Sequence, residues 1–162
     1  QKQGIASAVD ASSSSYSSWI HKNYWMSGRD VCHWYGVVCE RNNNFDYNHN
    51  NNIVRVLNLT HNNLHGTIPS ELDILEENLH LLDLSNNRLY GTVPPALLSS
   101  FNNNKKTQER YPYEISLSYN NLTGPIHFIN NLFNNNNHLQ SLYLNNNQFT
   151  GTIPTTLTKK NK

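Results

Sequence analysis

The sequence predicts an α/β repeat solenoid: a short coil of stacked turns, with a parallel sheet along one side and about four repeats. Three observations predict it. Four segments share the frame L-x-x-L-x-L-x-x-N-x-L-x-G without gaps: Val54–Gly66, Leu79–Gly91, Pro112–Gly124 and Leu139–Gly151. The glycines that close the frame lie 25, 33 and 27 residues apart. A proline follows nearby each time, at Pro69, Pro94, Pro125 and Pro154. Chance does not place four such frames in about a hundred residues.

Each element of the frame has a physical reason. The alternating L-x-L reads as a short strand with its leucines inward and the intervening residues on an open face. The repeated asparagine (Asn62, Asn87, Asn120, Asn147) falls where the chain leaves the strand. Its amide is suited to satisfy backbone groups of adjacent coils as a stacked ladder. The glycines then permit backbone conformations that a side chain forbids, and the prolines stop strand pairing and open the return segment. In the first return, Glu71–Glu77 reads as a short amphipathic turn rather than an acidic site. One coil cannot bury its leucines alone, whereas stacked coils bury a continuous core.

Composition narrows the functional classes. The chain has 162 residues, enough for one domain, with 36% hydrophobic and only 14% charged residues. Asparagine supplies much of the polarity, at 29 positions. A net charge of +1 offers no field for nucleic acid or an anionic membrane. No apolar run approaches the roughly 20 residues of a membrane span. No basic-then-apolar leader opens the chain, so any targeting peptide is expected to be absent from it. Cys32 and Cys39 are compatible with two buried thiols, half a metal site or a local disulfide. Zinc favours four ligands, and only His33 stands beside the pair, so a disulfide and an oxidising compartment are the favoured reading. The sequons Asn58-Leu59-Thr60 and Asn121-Leu122-Thr123 make Asn58 and Asn121 candidate glycosylation sites in the same direction.

The frame, with Gly-Thr-Ile-Pro in its first and last coils, resembles leucine-rich repeat proteins of the plant extracellular type, including algal and diatom homologues. The preceding segment agrees: Trp19, Trp25 and Val31-Cys-His-Trp-Tyr-Gly-Val-Val-Cys39 resemble the cap that precedes such repeats in receptor ectodomains and in inhibitors of cell-wall hydrolases. The resemblance covers about Trp19 to Leu157. It implies a short right-handed leucine-rich-repeat coil with the parallel sheet on its concave face, a leader and disulfide cap over residues 1–52, and repeats over 53–162 as one continuous domain. It also implies that Cys32 pairs with Cys39 and that Trp19, Trp25 and Trp34 cover the first coil. Pro112 in place of the first leucine of the third coil and the order Gly124-Pro125-Ile126 depart from the pattern. Asn-rich stretches at 42–52, 99–110 and 130–138 interrupt it and read as surface loops. Some plant relatives bind ice through ordered polar surfaces. Here the asparagines cluster in irregular loops and read as compositional drift.

Function is sought at the open positions. One column across the coils is Asn58, Asp83, Ser116 and Tyr143; the next is Thr60, Ser85, Ser118 and Asn145. A third is His61, Asn86, Tyr119 and Asn146, and on the near side lie Val56, Leu81, Glu114 and Ser141. This is a polar face with two exposed tyrosines, which give contact area at low entropic cost. No nucleophile elbow, phosphate loop or paired catalytic carboxylates occurs, and the eight histidines do not fall at ligand spacing. The expectation is therefore no enzyme, no cofactor and no metal. The leading reading is a secreted or lumenal module that binds a protein, peptide or glycan partner through the concave face. The alternatives are a structural subunit of a larger assembly, for example in a thylakoid lumen, and an inhibitor of an extracellular hydrolase. After Leu157 no second cysteine pair closes the far end. The flank formed by Leu139, Leu142, Leu144, Phe149, Ile153 and Leu157 is expected to be covered by further sequence, a partner chain or self-association.

Overall fold

The structure, a computed structural model, describes residues 19–21, 23, 29–41, 52–75, 79–95, 97, 113–130 and 139–153. Among these residues each frame forms two short strands, one on either side of a sharp bend. In chain order the strands are β1 (Val37–Arg41), β2 (Asn52–Asn58), β3 (His65–Thr67), β4 (Leu81–Asp83) and β5 (Arg88–Thr92). They continue with β6 (Tyr113–Ser116), β7 (Asn121–Pro125), β8 (Leu139–Tyr143) and β9 (Gln148–Thr150). One sheet runs β1-β2-β4-β6-β8 and a second runs β3-β5-β7-β9.

Register in the first sheet follows the frame residue for residue. Leu57, Leu82, Ile115 and Leu142 stand side by side on parallel strands, as do Asn58, Asp83, Ser116 and Tyr143. The inward row packs with Leu59, Leu84 and Leu117 into one core that runs through the stack. Each fully buried leucine contributes about 1.5–3 kcal/mol by leaving water. The fourth coil is less enclosed: Leu139, Leu142, Leu144 and Phe149 are half-buried, and Ile153 is exposed.

The second sheet departs from the sequence expectation. Strands β3 and β5 end before Pro69 and Pro94, as expected, but pairing first runs through the glycine position of the frame: Gly91 pairs with Leu122 and Gly124 with Phe149. Pro125 is itself the last residue of β7, in register with Thr150, and the 3-10 turn begins directly after it. Glycine is still required there. Gly124 has φ +99°, and a Cβ would stand 2.9 Å from Cγ2 of Thr92 on the preceding coil. The bend itself lies earlier, at His61, Asn86, Tyr119 and Asn146, whose φ values are 54°, 54°, 55° and 56°. The return side uses 3-10 turns at Ser70–Leu75 and Ile126–Phe128. In the first of these Leu72 is buried while Ser70 and Glu71 face solvent.

The segment before the first coil is built onto it directly. β1 pairs antiparallel with β2, and Trp19 and Trp34 are buried in the common core. A 3-10 turn at Val31–His33 is capped by Asp30, whose Oδ1 accepts the Cys32 N–H at 3.0 Å. A disulfide joins Cys32 to Cys39 of β1, with the Cα atoms 5.5 Å apart. Gly36 allows the close approach: its carbonyl accepts the Asn58 N–H at 2.7 Å, and a Cβ would lie 2.0 Å from the Asn58 carbonyl oxygen. Trp25, the serine-rich leader at 12–18, most of the Asn-rich stretches and Leu157 lie outside the described residues.

Closing so short a loop restricts the unfolded chain. Replacing both cysteines by serine is expected to lower stability by about 2–3 kcal/mol, read as a lower urea midpoint. Equal midpoints for the two proteins would show that the bridge does not hold this segment.

Candidate functional site

The open face is positioned by side-chain amides at the bend. Asn87 Oδ1 accepts the N–H groups of Asn62 (3.0 Å) and Leu64 (2.9 Å) on the coil before it. Its Nδ2 donates back to the Leu59 carbonyl at 2.9 Å, and within its own coil to those of Leu84 and Ser85 at 2.9 and 3.1 Å. Asn120 repeats the step, accepting from Leu89 N–H and donating to the Leu84 carbonyl. Asn147 accepts from Leu122 N–H and donates to the Leu117 carbonyl. Asn62 has no earlier repeat to reach. Its Nδ2 donates instead to the His21 carbonyl at 2.8 Å, its Oδ1 accepts the His21 N–H, and its own carbonyl accepts the Ile20 N–H. The segment at Ile20 and His21 thus stands in for a preceding coil.

Above this scaffold the face divides into floor and wall. Ser85, Ser116 and Ser118 are only 6%, 8% and 7% exposed, so they form a floor and offer little contact area. Asn58 Oδ1 accepts the Thr60 N–H and Asp83 Oδ1 accepts the Ser85 N–H, which ties one oxygen of each into the backbone. The hydroxyls of Thr60 and Ser85 are 3.0 Å apart, and Thr60 Oγ1 lies 2.9 Å from His61 Nδ1. What stands out is aromatic: Tyr119 is 54% exposed and Tyr143 47%. Asn145 is exposed beside them, His61 is exposed on the first coil, and Glu114 is half-buried.

The strand columns alone do not reveal one part of this face. Val38 on β1 is in register with Val56, which is in register with Leu81. Val38 is 56% exposed, so an apolar row crosses the first coils. The antiparallel pairing of β1, invisible to a repeat frame, brings Val38 there. The same strand supplies Glu40, whose Oε2 pairs with Arg55 Nε at 2.7 Å. His80, next to Arg55 in the sheet, is held below its ordinary pKa first by burial and then by the Arg55 charge, with Glu40 opposing. It is therefore neutral at neutral pH.

Among the described residues no three His, Cys, Asp or Glu side chains are grouped to hold a metal ion. His21 stacks on Tyr35, His65 meets Tyr90 edge-on, and His49 and His138 lie outside the described residues. Asn121 is exposed on the second sheet and accepts from Gln148 Nε2. No described helix is long and apolar enough to cross a membrane.

These features have known counterparts. The Leucine Rich Repeat family model matches residues 54–75, 78–101 and 138–159. A chain of the BIR3–SERK2 complex from Arabidopsis thaliana is 30% identical over 97% of this chain and 72% of that one, with a TM-score of 0.61. The chain belongs to the leucine-rich repeat family. The BIR2 ectodomain from the same plant is 25% identical over 97% of this chain and 73% of that one, at a TM-score of 0.62. The ectodomain of the Arabidopsis receptor kinase GASSHO1/SCHENGEN3, solved in complex with CASPARIAN STRIP INTEGRITY FACTOR 2, is 25% identical with a TM-score of 0.59. That alignment covers 97% of this chain but only 19% of the receptor ectodomain. Comparison with curated proteins gives no match. The family model passes over the third leucine-rich repeat, where Pro112 replaces a leucine, yet β6 and β7 pair with both neighbouring coils.

Ladder and surface asparagines differ in what their loss removes. Asn87→Ala is expected to cost about 1–3 kcal/mol by stranding buried backbone groups, whereas Asn145→Ala, on the surface, stays within about 0.5 kcal/mol. Comparison of urea midpoints checks both. Tyr119 holds a left-handed conformation that asparagine tolerates better, as Asn86 and Asn146 do in the same column. Tyr119→Asn is therefore expected to stabilise the fold by up to about 1 kcal/mol, seen as a higher midpoint at unchanged slope.

Proposed function

We propose that this leucine-rich repeat chain is a non-catalytic recognition module that takes an extended peptide or a protein segment on its open sheet face. One observation carries the reading. Tyr119 and Tyr143 stand more than two-fifths exposed on adjacent coils of a rigid stack, above buried serines, without a catalytic constellation among the described residues around them. Aromatic side chains fixed by a scaffold contribute binding energy at low entropic cost. The GASSHO1/SCHENGEN3 ectodomain solved with CASPARIAN STRIP INTEGRITY FACTOR 2 and the BIR3–SERK2 complex support it by likeness. The disulfide and these neighbours support a secreted or lumenal location. In that setting Asn121, exposed and away from the open face, is the better glycan site, since a glycan at Asn58 would cover part of the face. The half-exposed flank of the fourth coil is read as a further contact edge, covered by more chain, a partner or a second copy.

The experiment is capture from the native extracellular extract by the purified chain, followed by titration of the captured partner by calorimetry. The double variant Tyr119→Ala/Tyr143→Ala is expected to bind about thirtyfold more weakly, as loss of interface anchors worth about 2 kcal/mol or more does. A partner held equally well by both proteins, inseparable on purification, would favour a structural subunit instead. A captured hydrolase slowed by the chain would identify an inhibitor.

A further inference from the structure

The registers of the first sheet surround Ser116 with three larger side chains. Asp83 pairs with it on β4, Tyr143 pairs with it on β8, and Glu114 precedes it by two residues on β6, on the same face. Ser116 is 8% exposed and too small to fill the space between them. Diagonal neighbours in a sheet lie about 7–8 Å apart, so the two carboxylates can reach one group held between them. Asp83 has one oxygen engaged by the Ser85 N–H, which leaves the other for a ligand.

Charge decides what that group is. Within the first sheet Glu40 is neutralised by Arg55. Arg41 ends β1 opposite Asn52, three strands away from Ser116. Among the described residues Asp83 and Glu114 remain, which makes the face around Ser116 acidic while the whole chain carries +1. A cation placed over Ser116 meets two carboxylates and the ring of Tyr143, the combination that favours a planar guanidinium over a compact ammonium. Beside it, Leu81 pairs with Glu114 and continues the apolar row through Val56 to Val38.

We propose that the open face recognises a peptide segment with an arginine seated over Ser116, between Asp83, Glu114 and Tyr143, and an apolar side chain on the Val38–Val56–Leu81 row. This rests on the recognition-module reading above and adds the chemistry of its ligand. Along the row the ligand crosses the strands, so the arginine and the apolar residue are separated by a fixed, short spacing.

A display library of random nine-residue peptides tests it, panned against the whole chain and against the Asp83→Asn/Glu114→Gln variant. Both substitutions keep side-chain size, and the amide introduced at position 83 retains an acceptor oxygen for the Ser85 N–H; equal melting temperatures check the fold. The wild type is expected to enrich peptides with arginine, above lysine, at one position and an apolar residue at a constant distance from it. The variant is expected to bind the best of them about ten- to a hundredfold more weakly and to lose the arginine preference. Peptides enriched without a basic preference, or an arginine preference that survives in the variant, would overturn this proposal and leave the module reading intact. Failure of the wild type to enrich any peptide would overturn both.

Discussion

At each bend of this solenoid a half-buried side-chain amide ties one coil to the one before it, beside the strand pairing and the leucine core. At the bend the backbone leaves the first sheet before it enters the second. Some of its N–H groups bond carbonyls of the next coil, as His61 does with Ser85 and Asn86 with Ser118, while those of Asn62 and Leu64 turn to a side-chain amide. Asparagine accepts through Oδ1 and donates through Nδ2. The interaction recurs at Asn87, Asn120 and Asn147, each time reaching backward. Because every link needs a coil behind it, the ladder has a direction and therefore a special first member. The pairing of Asn62 with His21 is what that requirement produces at the start.

The requirement explains why the segment before the repeats is elaborate. It must supply a carbonyl and an N–H to Asn62, a strand edge to β2, and apolar bulk to the first leucines. His21, β1 and the buried Trp19 and Trp34 meet these three demands from different stretches of chain. The Cys32–Cys39 bridge ties the 3-10 turn to β1. Gly36 then lets the chain pass against Asn58 at a distance no side chain would permit. Covalent, steric and hydrogen-bonding constraints converge on one short region because it alone has no repeat to copy.

What can be read from the sequence is what repeats. The leucine row and the asparagine column follow from a fixed period, and the strand columns match the observed register from Val56 to Ser141. The second sheet is not legible in this way. A glycine followed by a proline looks like the end of a strand. Only the register of Gly91 with Leu122 and of Gly124 with Phe149 shows that pairing runs through the glycines. The open face is legible in part. Tyr119 and Tyr143 are placed by the frame, but Val38 belongs to a strand with no repeat and an antiparallel partner. Burial of Ser85, Ser116 and Ser118 is likewise hidden, since a small residue in an outward column reads as surface until its larger neighbours are in place.

The division of labour between column and coil also bears on how such a face acquires specificity. Leucines and ladder asparagines fix most of the backbone; among the outward positions Asn58 and Asp83 each accept a backbone N–H, and at the bend every coil takes φ near 55°. Asparagine fits there with least strain, and two coils have it. The other two carry His61 and Tyr119, which accept a conformation costly for a larger side chain. His61 recovers part of that cost through Thr60 Oγ1, 2.9 Å away. Tyr119 projects into solvent, more than half exposed. A residue that strains the free protein and is placed by a rigid stack gives its surface to whatever binds there without further ordering. Under the proposed recognition role, departures from the column residue on the open side are therefore the positions where stability yields to binding.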